Sequence, residues 1–79
     1  MNAEDVFRMI CENTQEVLQG LENHVFSKQD KLAELGANSV DRSEIVMMTL
    51  EKLNLRIPLV ETFGPKNIGE LANLLSSKT

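Results

Sequence analysis

The chain has 79 residues, 42% of them hydrophobic and 25% charged, which predicts one small globular domain over residues 1–79. A formal net charge of −4 disfavours nucleic-acid binding, and a single cysteine excludes an internal disulfide and a multi-cysteine metal site. The acidic N-terminal residues do not resemble a signal peptide, and no apolar run could cross a bilayer. We therefore expect a cytoplasmic protein that binds no membrane. A chain this short buries only a modest core, which favours a binding module over a self-sufficient enzyme.

The first predicted element is a helix from about Ala3 to Leu21. Its apolar side chains recur at helical spacing, at Val6, Ile10, Val17 and Leu21. Cys11 falls on the same side, where it is expected to be a small core residue rather than a reactive thiol. Gly20 should loosen the last turn.

A mainly polar segment follows, from Glu22 to Asn38, and predicts a long loop. Leu32 and Leu35 are expected to anchor it to the core, whereas His24 is expected in solvent without an orienting partner. A loop of this length in a small domain is often functional.

The second predicted helix begins at Asn38-Ser39 and ends near Leu53, and it has two apolar faces. Ile45, Val46, Thr49 and Leu53 form one face. The other is formed by Val40, Ser43, Met47 and Leu50, bordered by Glu44 and Glu51. One face must pack on the core. Periodicity alone leaves open whether the other meets a partner or is also buried.

The remaining chain predicts a connector, a short helix and a final helix. The short helix runs from about Pro58 to Phe63 and stops at Gly64-Pro65. The final helix starts behind Asn67, with Glu70 completing a capping box, and frays from Ser76. The expected fold is thus all-α, a small bundle of three main helices and one short helix with a long first loop.

Ser39 stands out because it follows a glycine-punctuated loop and opens a helix. Free N–H groups and the helix dipole at such a position suit a phosphate. Viewed alone, however, a serine here is most simply a helix cap. A hydrolytic nucleophile is disfavoured because the Gly-x-Ser-x-Gly pattern is absent and the single histidine, His24, has no evident partner.

The run Asn38-Ser39-Val40-Asp41 resembles the attachment motif of acyl carrier proteins of fatty-acid and polyketide synthesis. The downstream run Glu44-Ile45-Val46-Met47 and the Ile57-Pro58 pair are also similar to that family, and the resemblance covers the whole chain. It implies that Ser39 carries a covalent 4′-phosphopantetheine arm, added by a phosphopantetheinyl transferase. Two positions depart from the family pattern: Asn38 replaces an aspartate and Val40 replaces a leucine.

The longer run from Gly36 to Arg42 resembles the discrete donor carriers of polyketide β-branching. The implied cargo is an acetyl group made from malonyl, and the implied partners are an acyltransferase, a decarboxylating ketosynthase and an enzyme similar to HMG-CoA synthase. The chain itself would be a non-catalytic monomer. Its expected partner contacts are Asn38, Val40, Asp41, Arg42, Glu44, Met47 and Glu51.

Two other functions remain open from the sequence. A peptidyl or aryl carrier of non-ribosomal synthesis would use Ser39 in the same way with a different cargo. A helical adaptor would use the second helix for binding and would never acquire an arm. A DNA-binding helix-turn-helix is disfavoured because the chain has no basic face.

Overall fold

The computed structural model describes all residues, 1–79, and contains helices and no strand. Three α-helices are present, α1 (Ala3–Val17), α2 (Ser39–Leu53) and α3 (Ile68–Ser77). A short 3-10 helix (Leu59–Thr62) lies between α2 and α3. The predicted all-α fold, with three main helices and one short one, is confirmed.

Each α-helix begins behind an asparagine. Its side-chain oxygen accepts a hydrogen bond of 2.8 Å from the backbone N–H three residues on, at Asn2, Asn38 and Asn67. The predicted cap at Asn67 is therefore confirmed. The predicted capping box at α3 is wrong in one detail, because the Glu70 carboxylate accepts from the Lys66 N–H rather than from Asn67.

The ends of α1 and α3 differ from the prediction. α1 stops at Val17, four residues early, because Leu18 is already extended and Gly20 adopts φ 90°. Leu18 still packs against the core from outside the helix, so the apolar spacing continues past the helix end. α3 continues to Ser77 instead of fraying at Ser76.

The core lies where α1 packs against both α2 and α3. Its ten buried apolar residues are Val6, Ile10, Ala37, Ile45, Val46, Leu50, Ile68, Leu71, Ala72 and Leu75. Leu50 was expected on the second face of α2, yet it is only 8% exposed. The residues of that face therefore differ in burial: Leu50 packs in the core, whereas Val40 and Met47 are exposed.

A polar cluster joins α1 to α2 inside the bundle. The Asn13 amide donates to Thr49 Oγ1 at 2.8 Å, and Lys52 Nζ donates to Asn13 Oδ1 at 2.6 Å. Thr49 Oγ1 in turn donates to the Ile45 carbonyl at 2.9 Å. Asn13 and Thr49 are completely buried, and every buried side-chain polar atom in the structure has a partner.

The long loop is fastened to the start of α3 by two backbone hydrogen bonds. The Ile68 N–H donates to the Asp30 carbonyl and the Gly69 N–H to the Lys28 carbonyl, both at 2.9 Å. A Cβ on Gly69 would lie 2.7 Å from the Lys28 Cβ, so only glycine allows this approach. Two of the first N–H groups of α3, which a helix cannot satisfy itself, thus bind the loop.

Contacts between side chains of the same loop also stabilise it. His24 Nε2 lies 2.9 Å from Asp30 Oδ2, and the His24 ring meets Phe26 edge-on at a centroid distance of 4.6 Å. The expectation that His24 has no partner and lies free in solvent is wrong. Leu32 and Leu35 are half-buried against the core, which confirms them as anchors.

The two ends of the chain meet on one side of the bundle. The Met1 ammonium group lies 3.4 Å from Thr79 Oγ1, which also donates to the Met1 carbonyl at 3.3 Å. No helix combines the length and the apolar character that crossing a membrane requires.

Candidate functional site

Ser39 is the first residue of α2, and it is exposed. The cap belongs to Asn38, whose side chain accepts from the Asp41 N–H at 2.8 Å. The Asp41 carboxylate accepts from the Asn38 N–H at 3.1 Å, which completes a reciprocal capping box. The interpretation of Ser39 as a simple cap is therefore wrong, because its hydroxyl is not needed to hold the helix end.

Two backbone donors remain free beside the Ser39 side chain. The first intrahelical hydrogen bond of α2 runs from the Arg42 N–H to the Asn38 carbonyl at 2.9 Å, and Asn38 already satisfies Asp41. The Ser39 and Val40 N–H groups have no acceptor within the chain. Such donors and the helix dipole stabilise an anion, so the site fits a phosphodiester on Ser39.

The junction between loop and helix is held in place by buried contacts. Gly36 adopts φ 105°, and the following Ala37 is buried, with its N–H bonded to the Leu32 carbonyl at 3.1 Å. The Arg42 guanidinium donates to the Ala37 carbonyl at 2.8 Å. Arg42 thus positions the start of α2, a role that the sequence did not indicate.

One side of α2 faces away from the core, and we call it the α2 outer face (Val40, Glu44, Met47 and Glu51). Val40 is 71% exposed and Met47 is 53% exposed, and both glutamates are exposed. These residues were expected to meet partners, and the structure places them together on one surface. Asn38 and Asp41 lie at the start of the helix, where they form the capping box, whereas Arg42 points to a different side of α2 and lines the groove described next.

A groove opens on the other side of Ser39, and we call it the α2–α3 groove. It has a volume of about 520 Å³. Its apolar lining includes Leu32, Val46, Leu59, Phe63, Ile68 and Leu71. Ser39 and Ser43 contribute one wall. Lys31, Arg42 and Lys66 also line the groove, and no acidic side chain does.

No pattern in the sequence indicated this groove. Its three cations are far apart in the chain and come from the loop, α2 and the segment before α3. Neither Lys31 nor Lys66 belongs to a helix, so helical periodicity could not relate them. Only the packing of the loop onto α3 brings them to one cavity.

Cys11 and the acidic residues offer no alternative chemistry. Cys11 is buried, and this burial raises the pKa of its thiol to about 11, with a contribution from the negative charge of Asp30. This agrees with its expected place in the core. No group of three or more histidine, cysteine or acidic side chains is arranged to hold a metal ion.

Three comparisons with known proteins agree with this geometry. Residues 8–75 match the family described as "Phosphopantetheine attachment site". The chain is 50% identical over 78 residues to the polyketide biosynthesis acyl-carrier-protein AcpK of Bacillus subtilis (strain 168), covering 99% of this chain and 95% of that protein.

A solved structure is similar over the whole chain. It is a crystal structure of the curacin biosynthetic pathway HMG synthase in complex with an acetyl donor carrier protein. The match has a TM-score of 0.95 and 45% identity, covering 99% of this chain and all of that one. Family match, sequence identity and fold thus point the same way, and the chain belongs to the acyl carrier proteins, the family that carries covalent 4′-phosphopantetheine.

Proposed function

We propose that residues 1–79 form one carrier domain with its 4′-phosphopantetheine arm on Ser39. The domain holds an acetyl group, made from malonyl, and delivers it to an enzyme similar to HMG-CoA synthase during polyketide β-branching. The observation that carries this proposal is the exposed Ser39 hydroxyl beside two unpaired N–H groups, with the capping role taken by Asn38.

Attachment is a phosphoryl transfer from coenzyme A. Ser39 Oγ forms a bond to the phosphorus that bears pantetheine, and the bond from that phosphorus to the bridging oxygen breaks. Adenosine 3′,5′-bisphosphate leaves, and the hydroxyl proton passes to a base of the phosphopantetheinyl transferase. The product is a phosphodiester next to the Ser39 and Val40 N–H groups, which favour its charge.

Once attached, the arm supplies a terminal thiol that holds the acyl group as a thioester. The chain's own residues present this arm and bind the partner enzymes, while the partners make and break bonds. Tethering gives the acyl group a high effective concentration at a docked active site, so each docking contact can remain small and short-lived.

The names of the relatives support the choice of pathway and partner. AcpK is named for polyketide biosynthesis, and the similar crystal structure contains an HMG synthase with an acetyl donor carrier. The acyltransferase and decarboxylating ketosynthase are partners implied by the sequence motif from Gly36 to Arg42. A cytoplasmic location follows from the need to meet these enzymes and coenzyme A.

The attachment site is tested by incubating the chain with coenzyme A and a broad-specificity transferase, followed by intact mass and peptide mapping. Wild type should gain one phosphopantetheine and Ser39→Ala none. Ser43→Ala is the matched control, because Ser43 lies one turn further along the same groove wall. Circular dichroism should show all three chains folded, since Asn38 and Asp41 keep the cap.

A thiol reagent under native conditions gives a second readout. Because Cys11 is buried and its thiol has a raised pKa, the reagent should report the arm alone. A folded chain that gains no arm, or an arm that persists in Ser39→Ala, would refute the assignment. The first outcome would favour the unmodified adaptor.

Delivery is tested with the acetyl-loaded chain and a purified HMG-CoA-synthase-like enzyme. The acetyl group should leave the carrier arm, as followed by intact mass, and Ser39→Ala should show no loading at all. A peptidyl carrier would instead accept aminoacyl groups from an adenylating enzyme and show no transfer to the synthase.

A further inference from the structure

We propose that the α2–α3 groove binds the free carboxylate of an acyl group carried on the arm. The groove would thus favour the half-thioester of a short dicarboxylic acid over a neutral acyl group such as acetyl. This role depends on the attachment of the arm to Ser39, whose side chain lies in the groove wall.

The charge of the groove is opposite to the charge of the chain. The chain carries a net −4, yet Lys31, Arg42 and Lys66 line the groove and no aspartate or glutamate does. None of these cations takes part in an ion pair, since the ion pairs of the structure involve Arg8, His24, Lys28 and Lys78. Three cations that form no ion pair and surround one cavity attract an anion.

The apolar lining limits the size and shape of that anion. Leu32, Val46, Ile68 and Leu71 offer contacts to carbon, and the volume of about 520 Å³ is in the range of sites for small ligands. A short methylene segment that ends in a carboxylate matches an apolar surface with cations around it. The fixed Arg42 guanidinium, bonded to the Ala37 carbonyl, retains further N–H donors for a carboxylate.

The phosphate of the arm is less suited to fill this site. It is bonded to Ser39 Oγ, where the Ser39 and Val40 N–H groups already stabilise it at the start of α2. Lys31 and Lys66 come from other segments, and the arm beyond the phosphate is flexible enough to turn back toward them. A carboxylate at the far end of the arm can therefore enter the groove, helped by the high effective concentration of a tethered ligand.

Decarboxylation would then change where the arm lies. The carboxylate leaves as CO₂ and a proton replaces it on carbon, so the charge that the groove binds is lost. The malonyl arm would be held against the bundle, and the acetyl arm would be released toward the next enzyme. The groove would in this way distinguish the two states of the cargo.

The experiment compares three forms of the chain by methyl NMR: the unloaded arm, an acetyl arm and a malonyl arm, the last two as stable amide analogues. Intact mass confirms each form first. Relative to the chain without an arm, we expect the Leu32, Val46 and Leu71 methyl signals to shift in the malonyl form only. The shifts should vanish in Lys31→Gln/Lys66→Gln and persist in Lys78→Gln, whose lysine pairs with Glu61 away from the groove.

Each outcome decides between the alternatives. Equal shifts with the unloaded arm would assign the groove to the phosphate and overturn the proposal. Equal signals for the malonyl and acetyl forms at the correct mass would overturn it while leaving the carrier function intact. A chain that gains no arm on Ser39 fails already at the mass measurement, and both proposals fail with it.

Discussion

Thr49 shows how a single buried hydroxyl can hold two helices in register. Its oxygen accepts from the Asn13 amide of α1 and donates to the Ile45 carbonyl of α2. The Lys52 ammonium donates a hydrogen bond to the side-chain oxygen of Asn13. Since the amide has no access to water, its hydrogen bonds must be made inside the bundle.

Thr49→Val should therefore lower the free energy of unfolding by about 1–3 kcal/mol, because the buried Asn13 amide loses its acceptor. Thr14→Val is the matched control. Thr14 is equally buried, but its hydroxyl only donates to the Ile10 carbonyl and receives no side-chain bond. Urea denaturation of both variants measures the difference, and equal losses would contradict the role of the Asn13–Thr49 bond.

The loop between α1 and α2 is part of the bundle rather than a free connector. Its backbone carbonyls at Lys28 and Asp30 accept the first N–H groups of α3. The Lys28 ammonium pairs with Glu4 of α1 at 2.8 Å. The loop is thus attached to the first turns of both α1 and α3, which fixes one wall of the α2–α3 groove.

Gly69→Ala should weaken this attachment, although alanine is the better helix former. The added Cβ would meet the Lys28 Cβ at 2.7 Å and the Lys28 carbonyl oxygen at 3.0 Å, so the loop must move. We expect a loss of about 1–3 kcal/mol in the free energy of unfolding. Gly64→Ala, where a Cβ meets nothing within 4 Å, should be close to neutral in the same urea titration.

Asp30 makes the loop sensitive to acid. The Ser27 N–H, which donates to its carboxylate at 2.8 Å, and then His24 hold the pKa of Asp30 below its usual value. A carboxyl with a lowered folded-state pKa stabilises the fold above its unfolded pKa, near 3.9, and that stability is lost as the pH falls through the folded value. Asp30→Asn should lower stability at pH 7 and flatten its decline from neutral pH into the acid range below about pH 4. Thermal denaturation across this range measures the slope, and parallel curves for both chains would contradict the assignment.

The sequence predicted the starts of the helices better than their packing. Asn38 and Asn67 are local signals, so the starts of α2 and α3 are predictable from them. The end of α1 could not be predicted in this way, because Leu18 continues the helical apolar spacing although it lies outside the helix. Leu50 was grouped with Val40 and Met47 because α2 is apolar on two sides, and only its packing against α1 decides which side is buried.

Ser39 lies between two surfaces of the protein that differ in charge. The α2 outer face presents two exposed apolar side chains with Glu44 and Glu51, whereas the α2–α3 groove is lined by cations. The first suits a partner with a basic, partly apolar surface, and the second suits an anion at the end of the arm. With the arm on Ser39, as proposed, one position would serve both the docking of partners and the binding of the cargo.

Glu44→Lys should slow acyl transfer to the synthase about fivefold at low salt, which corresponds to about 1 kcal/mol for an exposed charge interaction. The difference should shrink at high ionic strength because the charges are exposed and screened. Glu12→Lys is the control, since it makes the same charge change on the exposed side of α1. Stopped-flow or quench kinetics measure the rate, and equal slowing by both variants would point to net charge rather than to the α2 outer face.

The contact between Met1 and Thr79 would allow the order of the helices along the sequence to be changed. Because the two ends lie within hydrogen-bond distance, a short flexible linker can join them without distorting any helix. New ends could then be opened near Val25, which is 89% exposed in the loop. Such a circular permutant would keep the asparagine caps, the core and Ser39. By the same geometry, the domain could be inserted into a surface loop of a host protein, with both connections leaving at one point.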